Sequence, residues 1–283
     1  MPQKTANNVE VDERYFVETA ARTLRLLQTV ATMDGPAPLT MIVERLGWSK
    51  PAVYRLVRTL EAIGALRQQD GAGYVLGPML ITLGLSALHA TGLVGIARPH
   101  LERLHAEVEE SVVLTVLDGR EVVYVDRIEA DKILIPRTRL GSRLPAYCTS
   151  TGQVLLAGLA DQDVRRRLEG QAFDRVGPNT LETIDELMDR LEDIRRVGFA
   201  VQDEELTVGH RSAAAPVRDH TGATAAAISV SVPTARVTRQ QLIRFATEAM
   251  VPAADAISLA LGGIAAADIA ALAEENSGPA PPC

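Results

Sequence analysis

The sequence predicts a mixed α/β protein of the α+β class, with an N-terminal helical domain and a C-terminal antiparallel sheet flanked by helices. Two patterns predict this fold class. Between residues 16 and 63, apolar residues recur every three or four positions, the period of helices that bury one face. After residue 112, short apolar runs with turn residues between them alternate with helical stretches. The 283 residues suffice for two cores, since one core usually serves roughly 100 to 200 residues.

Three helices are predicted near the N-terminus, the first over residues 16–31. Its apolar face consists of Ala20, Leu24, Leu27 and Ala31. Thr40 is the predicted N-cap of a short second helix that ends at Gly47, because threonine hydroxyls accept helix N–H bonds and glycine is favoured after a helix end. Ser49 is the predicted cap of a third helix that runs to Gly64. Its apolar face consists of Val53, Leu56, Val57, Leu60 and Ile63.

The third helix has the composition of a helix that reads DNA. Its remaining faces carry basic and hydrogen-bonding side chains, namely Lys50, Tyr54, Arg55 and Arg58. A short helix, a tight turn and a capped helix of this kind are the parts of a helix-turn-helix, whose second helix fits the major groove. Residues 66–69 and 74–76, joined by a glycine-rich turn, predict a two-stranded wing beside it. Trp48, just before the cap, is interpreted as a packing residue.

The charge distribution agrees with this interpretation. The whole chain has a net charge of -7, which does not suit a protein that coats nucleic acid. Residues 14–77 nevertheless contain eight basic and five acidic residues, whereas the rest of the chain is acidic. Positive charge is needed only where a protein contacts phosphates. The sequence therefore predicts a DNA-reading domain attached to a larger domain with another role.

The larger domain shows alternating strand and helix patterns. A helix from residue 97 precedes a predicted hairpin of strands 112–117 and 121–128, with a third strand at 133–139. Further patterns predict helices at 150–159, 161–169 and 182–197, strands near 199, at 213–217 and at 224–232, and one helix at 238–261. Residues after 268 are predicted to fray.

Three N-terminal motifs, AARTLRLLQTV, LTMIVERLGWSKPAVYRLVRTLEAIGAL and GYVLGPMLITLG, resemble the DNA-binding domain of IclR-type transcription regulators. The resemblance implies a tail at 1–14, a winged helix-turn-helix at 15–77 and a linker helix at 78–95. The expected contacts with double-stranded operator DNA are Arg22, Thr40, Ser49, Lys50, Ala52, Tyr54, Arg55, Arg58 and Arg67. The linker helix, with Leu80, Leu83 and Leu88, is the expected contact surface of a homodimer, and the resemblance implies dimers that can pair into homotetramers.

The motifs GSRLPAYCTSTGQVLLAGL, GFAVQDEELTVGHRSAAAPV and AAAISVSVPTARVT resemble the effector domain of the same family. The resemblance implies a GAF-like effector-binding domain at 96–265, followed by a tail at 266–283. It places a small organic effector between the sheet and the loop and helix at 145–152. The expected pocket residues are Tyr147, Ser150, Thr151, Gln202, Ser212, Ser229 and Ser231. Residues two apart on a strand share a face, which supports the placement of the last two serines.

The residues within these motifs indicate the class of effector. Relatives that bind small keto acids have an acidic residue in place of Gln202 and a cysteine in place of Ser212, so their ligand class is not transferred. LPAYCTSTGQVLLAGL and YFVETAARTLRLL resemble the subgroup that controls the breakdown of aromatic acids. The expected effector is a small organic acid, carboxylic or aromatic. Candidate donors to its carboxylate are Arg137, Arg139, His210 and Arg211.

Two alternatives belong to other functional classes. An enzyme would use Cys148 as nucleophile with His210 or His220 as base and carboxylates of residues 203–205, but no further catalytic motif accompanies them, so no catalytic residue is predicted. A protein-interaction module without DNA binding would leave the positive head and the wing unexplained. Binding to operator fragments discriminates these classes.

No metal or cofactor is predicted. His100 and His105 are five residues apart, which does not align them on a helix. Cys148 and Cys283 are too few for a disulfide scaffold or a zinc cluster. No segment approaches the ~20 apolar residues of a membrane helix and the first residues are polar, so a cytoplasmic location is expected.

Overall fold

The computed structural model describes residues 13–69, 71–90, 92–130 and 138–263. These residues form two compact units, one over 13–90 and one over 92–263. The first unit contains helices α1 (Glu18–Ala31), α2 (Leu39–Leu46), α3 (Lys50–Ala62) and α4 (Pro78–Ala90), and strands β1 (Leu66–Gln69) and β2 (Gly73–Leu76). The predicted helix-turn-helix and wing are therefore confirmed.

The core of the first unit differs from the prediction at the first helix. Leu24 is 62% exposed, whereas Leu26 and Val30 are buried. Leu27 of the predicted face packs against the same core, whereas Ala20 and Ala31 are exposed. The predicted apolar face of α1 was therefore wrong for Ala20, Leu24 and Ala31 and is confirmed for Leu27. In α3 the prediction holds for Val53, Val57 and Leu60, which are buried.

Three details of the helix ends also differ from the prediction. The second helix begins at Leu39, so Pro38 is its N-cap and Thr40 lies inside the first turn. Ser49 is the N-cap of α3, as predicted, but its hydroxyl accepts no hydrogen bond from the helix. Ile63 follows the last residue of α3 and is 54% exposed, because the helix ends before it can complete the buried face.

The wing is an antiparallel pair with Leu66 opposite Leu76. Its second strand also pairs with the segment before α2, because Ala37 and Tyr74 exchange two backbone hydrogen bonds of 2.8 Å. Gly73 allows this close approach. Its φ is +151°, and a Cβ at this position would lie 2.5 Å from the carbonyl carbon of Ala37. The wing is thus fixed to the three-helix core at its base.

The second unit is a six-stranded antiparallel sheet with helices on both faces. Its strands are β3 (Ser111–Asp118), β4 (Glu121–Ile128), β5 (Arg143–Pro145), β6 (Ala200–Asp203), β7 (His210–Arg218) and β8 (Thr224–Pro233), in the order β5-β4-β3-β8-β7-β6. Its helices are α5 (Leu93–Val108), α6 (Ser150–Ala157), α7 (Asp161–Arg167), α8 (Ile184–Val197), α9 (Arg239–Phe245) and α10 (Val251–Ala260). Helices α5, α9 and α10 pack on one face of the sheet, and α6 to α8 pack on the other. The predicted α+β class is confirmed.

Two predictions for this unit need correction. The strand expected at 133–139 lies mostly outside the described residues, and Thr138 and Arg139 are not in a strand. The strand that pairs with β4 on the side away from β3 is β5, with Leu144 opposite Val122. The helix expected at 238–261 is divided by a π-helical turn at Ala246–Met250. Pro252 follows this turn, and a proline inside a helix removes a hydrogen bond, which a wider turn accommodates. None of the helices in the described part of the chain has the length and apolar composition needed to cross a membrane.

Candidate functional site

The exposed face of α3 carries the residues that the sequence analysis singled out. Lys50, Tyr54, Arg55 and Arg58 are exposed, whereas Ala52 is half-buried. The opposite face of the helix packs into the core of the unit, which leaves this face turned outward. Thr40, Ser49 and the wing residue Arg67 are exposed as well. This surface supplies the hydrogen-bond donors and positive charge that groove and phosphate contacts require.

The cations of this unit differ in their partners. Arg58 forms an ion pair of 2.8 Å with Glu61. Arg22 pairs with Glu18 at 3.0 Å and lies over the Trp48 ring, with 5.5 Å between the guanidinium carbon and the ring centroid. Trp48 packs against the core of the unit, as predicted. Lys50, Arg55 and Arg67 have no carboxylate partner among the described residues, so their charges are available for phosphate contact without the loss of an ion pair.

A cavity of about 410 Å³ lies in the second unit, between the sheet and the start of α6. Its described apolar lining includes Val113, Tyr124, Leu144, Pro145, Val176 and Leu206. Its described polar lining includes Ser111, Arg127, Thr138, Thr149, Ser150, Thr151, Gln202, Thr207, His210, Arg211, Ser212, Ser229 and Ser231. Six of the seven expected pocket residues are in this lining.

A row of polar side chains crosses the sheet beneath the cavity. Ser111 of β3 is opposite Ser231 of β8, Ser231 is opposite Ser212 of β7, and Ser212 is opposite Gln202 of β6. Side chains of directly opposed residues lie on the same face of a sheet. The four strands thus align three hydroxyl groups and one amide along one side of the cavity.

The start of α6 is joined to this row by hydrogen bonds. The Ser212 hydroxyl donates to Gln202 Oε1 at 2.8 Å and is 2.9 Å from Ser150 Oγ, while Ser150 Oγ is 3.4 Å from Ser229 Oγ. The Gln202 amide donates to the carbonyl oxygen of Cys148. These bonds orient the hydroxyl groups, because each has at least one fixed partner.

The N-terminal residues of α6 line the cavity. Thr149 is the N-cap, and its hydroxyl accepts a hydrogen bond of 3.2 Å from the Gly152 N–H. Any side chain at position 152 would clash with the backbone of Ala146, so glycine lets the preceding turn lie across the helix start. Ser150 and Thr151, the first two helical residues, line the cavity. The N–H groups at this position of a helix lack intrahelical partners and favour anions.

Arg127 is the charged residue of the described cavity lining that was not predicted from the sequence. Its side chain is 9% exposed and donates to the Thr138 hydroxyl at 2.6 Å and to the Thr138 carbonyl oxygen. Its ion-pair partner in the described structure is the exposed Glu129, 3.3 Å from Nε, and Nε makes no hydrogen bond. A buried guanidinium of this kind favours an anion beside it. The arginine within the largely apolar strand EVVYVDRI was the available signal.

The other candidate cations are placed differently. Arg211 lines the cavity but is paired with Asp203 at 2.6 Å and donates to the Val237 carbonyl oxygen. His210 also lines the cavity, and its buried Nδ1 has no hydrogen-bond partner in the described structure. Arg139 is not in the described lining, and Arg137 lies outside the described residues.

Two neighbouring residues lie apart from the cavity chemistry. Tyr147 packs against Phe173, with 4.8 Å between ring centroids, and donates to the carbonyl oxygen of Asp174 at 2.9 Å. It is not in the described lining of the cavity, because the turn before α6 directs its ring into the core. Burial raises the pKa of the Cys148 thiol to about 12, which keeps it protonated and unsuited to act as a nucleophile. No group of three or more metal-binding side chains occurs in the described ranges.

Comparison with known proteins identifies the family to which the chain belongs. Residues 19–70 match the IclR helix-turn-helix domain, and residues 85–259 match the bacterial transcriptional regulator IclR C-terminal domain. The Pca regulon regulatory protein of Pseudomonas putida is 32% identical over 80% of this chain and 78% of its own length. XynR of Escherichia coli is 32% identical over 87% of this chain and 98% of its own. These relatives are transcription regulators and not enzymes, so the enzyme alternative is discarded.

Solved structures agree. A putative transcriptional regulator from Rhodococcus is 33% identical, with a TM-score of 0.75 over 87% of this chain and 98% of that one. An IclR homologue from Microbacterium hydrocarbonoxydans, complexed with 4-hydroxybenzoate, is 26% identical, with a TM-score of 0.76 over 86% and 99% of the two chains. The chain belongs to the IclR family of bacterial transcription regulators, with a DNA-binding helix-turn-helix and a C-terminal effector domain.

Proposed function

We propose that the cavity of the second unit binds a small organic acid and that this binding changes the affinity of α3 for operator DNA. The observation that carries this proposal is the buried guanidinium of Arg127, which lines the cavity and whose carboxylate partner in the described structure is the exposed Glu129. An acid effector supplies a negative charge on the cavity side of this guanidinium. The N-terminus of α6 adds a second favourable environment for that charge, through Ser150 and Thr151.

The size and lining of the cavity favour a small amphipathic ligand. A volume of about 410 Å³ is within the range of small-molecule pockets. Tyr124, Leu144 and Val176 offer apolar contacts for a ring or an alkyl chain. The polar row then offers hydrogen bonds to a second polar group at the far end of the ligand. An aromatic acid with a ring hydroxyl satisfies all three environments.

Two relatives make aromatic acids the first ligands to test. The Microbacterium homologue was solved with 4-hydroxybenzoate bound, and the Pseudomonas relative is a regulator of the Pca regulon. Neither identity is high enough to transfer a ligand on its own. The inference for this chain therefore depends on its own cavity.

For the first unit we propose that Arg55 contacts a base edge or phosphate and that Lys50 and Arg67 contact phosphates. All three side chains are exposed and lack ion-pair partners in the described structure. Arg22, Thr40, Ser49, Ala52, Tyr54 and Arg58 complete the proposed interface. The proposed domain limits are 15–77 for the DNA-binding domain, 78–95 for the linker and 96–265 for the effector domain.

We further propose that the protein acts as a homodimer on two operator half-sites in the cytoplasm. One helix-turn-helix makes few contacts, and paired half-sites are usual for such proteins. The linker helix α4 leaves Ile81 64% exposed and Leu83 54% exposed. Exposed apolar side chains on one helix favour a protein partner. A second copy of the chain is the proposed partner, and pairing of dimers into tetramers is compatible with it.

A thermal-shift screen of aromatic and aliphatic acids tests the effector proposal. A ligand at 100 times its Kd adds about 2.7 kcal/mol to the free energy of unfolding, which raises Tm measurably. The double variant Ser229→Ala with Ser231→Ala should lose most of the shift, while Ser142→Ala, outside the described lining, should retain it. If no acid shifts Tm while neutral analogues of the same acids do, the acid class is wrong.

A further inference from the structure

Arg127 is held from the opposite face of the sheet. Its backbone N–H donates to Asp126 Oδ1 at 2.8 Å, and its carbonyl oxygen accepts a hydrogen bond of 3.4 Å from Arg98 Nη1. The same nitrogen of Arg98 donates to Asp126 Oδ1 at 2.8 Å. Arg98 of α5 therefore contacts both polar groups of the Arg127 backbone, one directly and one through a carboxylate.

The Asp126 carboxylate is buried. Its side chain is 6% exposed, and Oδ2 is buried without a hydrogen-bond partner in the described structure. A buried carboxylate is stable only with a positive partner, and Arg98 is its ion-pair partner in the described structure. Removal of the Arg98 charge should therefore alter the position of the Asp126 carboxylate. Because Oδ1 of that carboxylate also accepts from the Arg127 N–H, the backbone of Arg127 should move with it.

The strand that carries these residues contains a bulge. Leu114 of β3 is opposite Asp126, whereas the next residue, Thr115, is opposite Tyr124, so Val125 is the extra residue of β4. A bulge interrupts the hydrogen-bond ladder and redirects side chains. Arg127 and Tyr124, on the two sides of this bulge, both line the cavity. The irregular part of β4 thus lies between the cavity and helix α5.

Helix α5 follows the DNA-binding unit directly in the sequence. It begins at Leu93, close after the end of α4 at Ala90. Its buried residues, which include Leu101 and Leu104, fix it to the sheet. Arg98 therefore lies on the first helix of the second unit, and in the sequence this helix comes directly after the linker helix α4.

We infer that Arg98 and Asp126 form a positioning pair that transmits effector binding at Arg127 to helix α5. The inference depends on the proposed function, in which an acid binds beside Arg127. When the acid engages the guanidinium, the backbone of Arg127 shifts at the bulge, and the two bonds to Arg98 carry the shift to α5. Transmission requires that α5 respond differently to the free and bound states, which is the requirement of any coupling between sites.

Hydrogen exchange of the full-length chain, measured by mass spectrometry with and without 4-hydroxybenzoate, tests this pair. In the wild-type chain the acid should slow exchange at residues 149–153 of the cavity and also at 93–108 of α5. In Arg98→Gln the cavity should keep its protection while α5 loses its response. We expect the change at α5 to be about two- to fivefold in exchange rate, the size of one partly exposed charge pair.

Glu102→Gln is the matched control. Arg98 also pairs with Glu102, at 2.9 Å on the solvent side, so this variant removes a charge partner of Arg98 and leaves the Asp126 contact in place. It should respond as the wild-type chain does. Protection of α5 that persists in Arg98→Gln, or that disappears equally in Glu102→Gln, would overturn the inference.

A ligand-free arm separates this inference from the proposed function. Arg127→Gln changes the cavity end of the pair directly, and it should alter exchange in α5 when Arg98 is present but not in the Arg98→Gln background. If 4-hydroxybenzoate gives no protection at 149–153, this acid is excluded as an effector, and the ligand-free arm still decides the coupling. Equal changes in both backgrounds refute the positioning pair even if the acid binds.

Discussion

Replacement of Arg127 by glutamine should abolish most of the affinity for an acid effector. The side chain is 9% exposed, so a bond between its guanidinium and a ligand carboxylate forms largely out of water. Hydrogen bonds to charged groups contribute roughly 1.5–3 kcal/mol. That range corresponds to a loss of about 10- to 150-fold in Kd. Glutamine keeps one donor group and much of the volume, so the change tests charge more than shape.

Arg143→Gln is the control for this variant. Arg143 is on the neighbouring strand β5, is 41% exposed, and is paired with both Asp118 and Glu121 at 2.7 Å. Exposed ion pairs contribute about 0–1 kcal/mol, and this one is outside the described lining of the cavity. Its loss should therefore leave effector affinity within about twofold of wild type.

Isothermal titration calorimetry with the acid that gives the largest thermal shift measures both variants. Thermal melting without ligand checks that each variant is folded. Arg127→Gln should still bind the operator without effector, since α3 belongs to the other unit, and that Kd is the reference for the response of this variant to the acid. An affinity within twofold of wild type for Arg127→Gln, or an equal loss in Arg143→Gln, would refute the assignment of Arg127 as the carboxylate partner.

Three further outcomes follow from the same geometry. Arg55→Ala should weaken operator binding about tenfold or more and leave effector affinity unchanged, which fluorescence anisotropy and calorimetry can measure; a loss of effector affinity would contradict the division of roles. Gly73→Ala should destabilise the wing by about 1–3 kcal/mol, because the new methyl group would lie 2.5 Å from the Ala37 carbonyl carbon at a φ of +151°; a melting curve identical to wild type would show that the wing is not fixed there. In a Cys283→Ser variant, Cys148 should resist iodoacetamide at pH 8, because a pKa of about 12 leaves roughly one thiol in ten thousand ionised; rapid labelling of the native protein would contradict the burial. Because the pKa of the Cys148 thiol is raised from 9 to about 12 in the folded protein, the thiol ionises more readily in the unfolded chain. The free energy of unfolding should therefore be unaffected by this group below pH 9 and should fall as the pH rises from 9 towards 12.

Local sequence signals predicted most of the helices and strands. Gly47 at the end of α2, the apolar spacing of α3 and the turn between β3 and β4 each depend on neighbouring residues, so they could be recognised from the sequence alone. The buried face of α1 could not be recognised in the same way. It depends on which side of α1 meets α2 and the wing, and these contacts join segments that are separate in the sequence.

The site was predicted in part for a similar reason. Ser229 and Ser231 are two residues apart on one strand, so their shared face follows from strand geometry. The polar row that joins them to Ser111 and Gln202 depends on the register of four strands that are distant in the sequence. Arg127 faces the cavity beyond a bulge, which interrupts the alternation of side chains that a sequence argument must assume.

The central claim is that an acid in the cavity alters DNA binding by α3. The most direct test selects an operator from random duplex DNA with the wild-type chain and then measures its Kd with and without the best-binding acid. Coupling energies of this kind change affinity by about 5- to 150-fold. We predict such a change for the wild-type chain and none for Arg127→Gln at the same acid concentration. An acid that binds the cavity but leaves the operator Kd of the wild-type chain unchanged would contradict the claim.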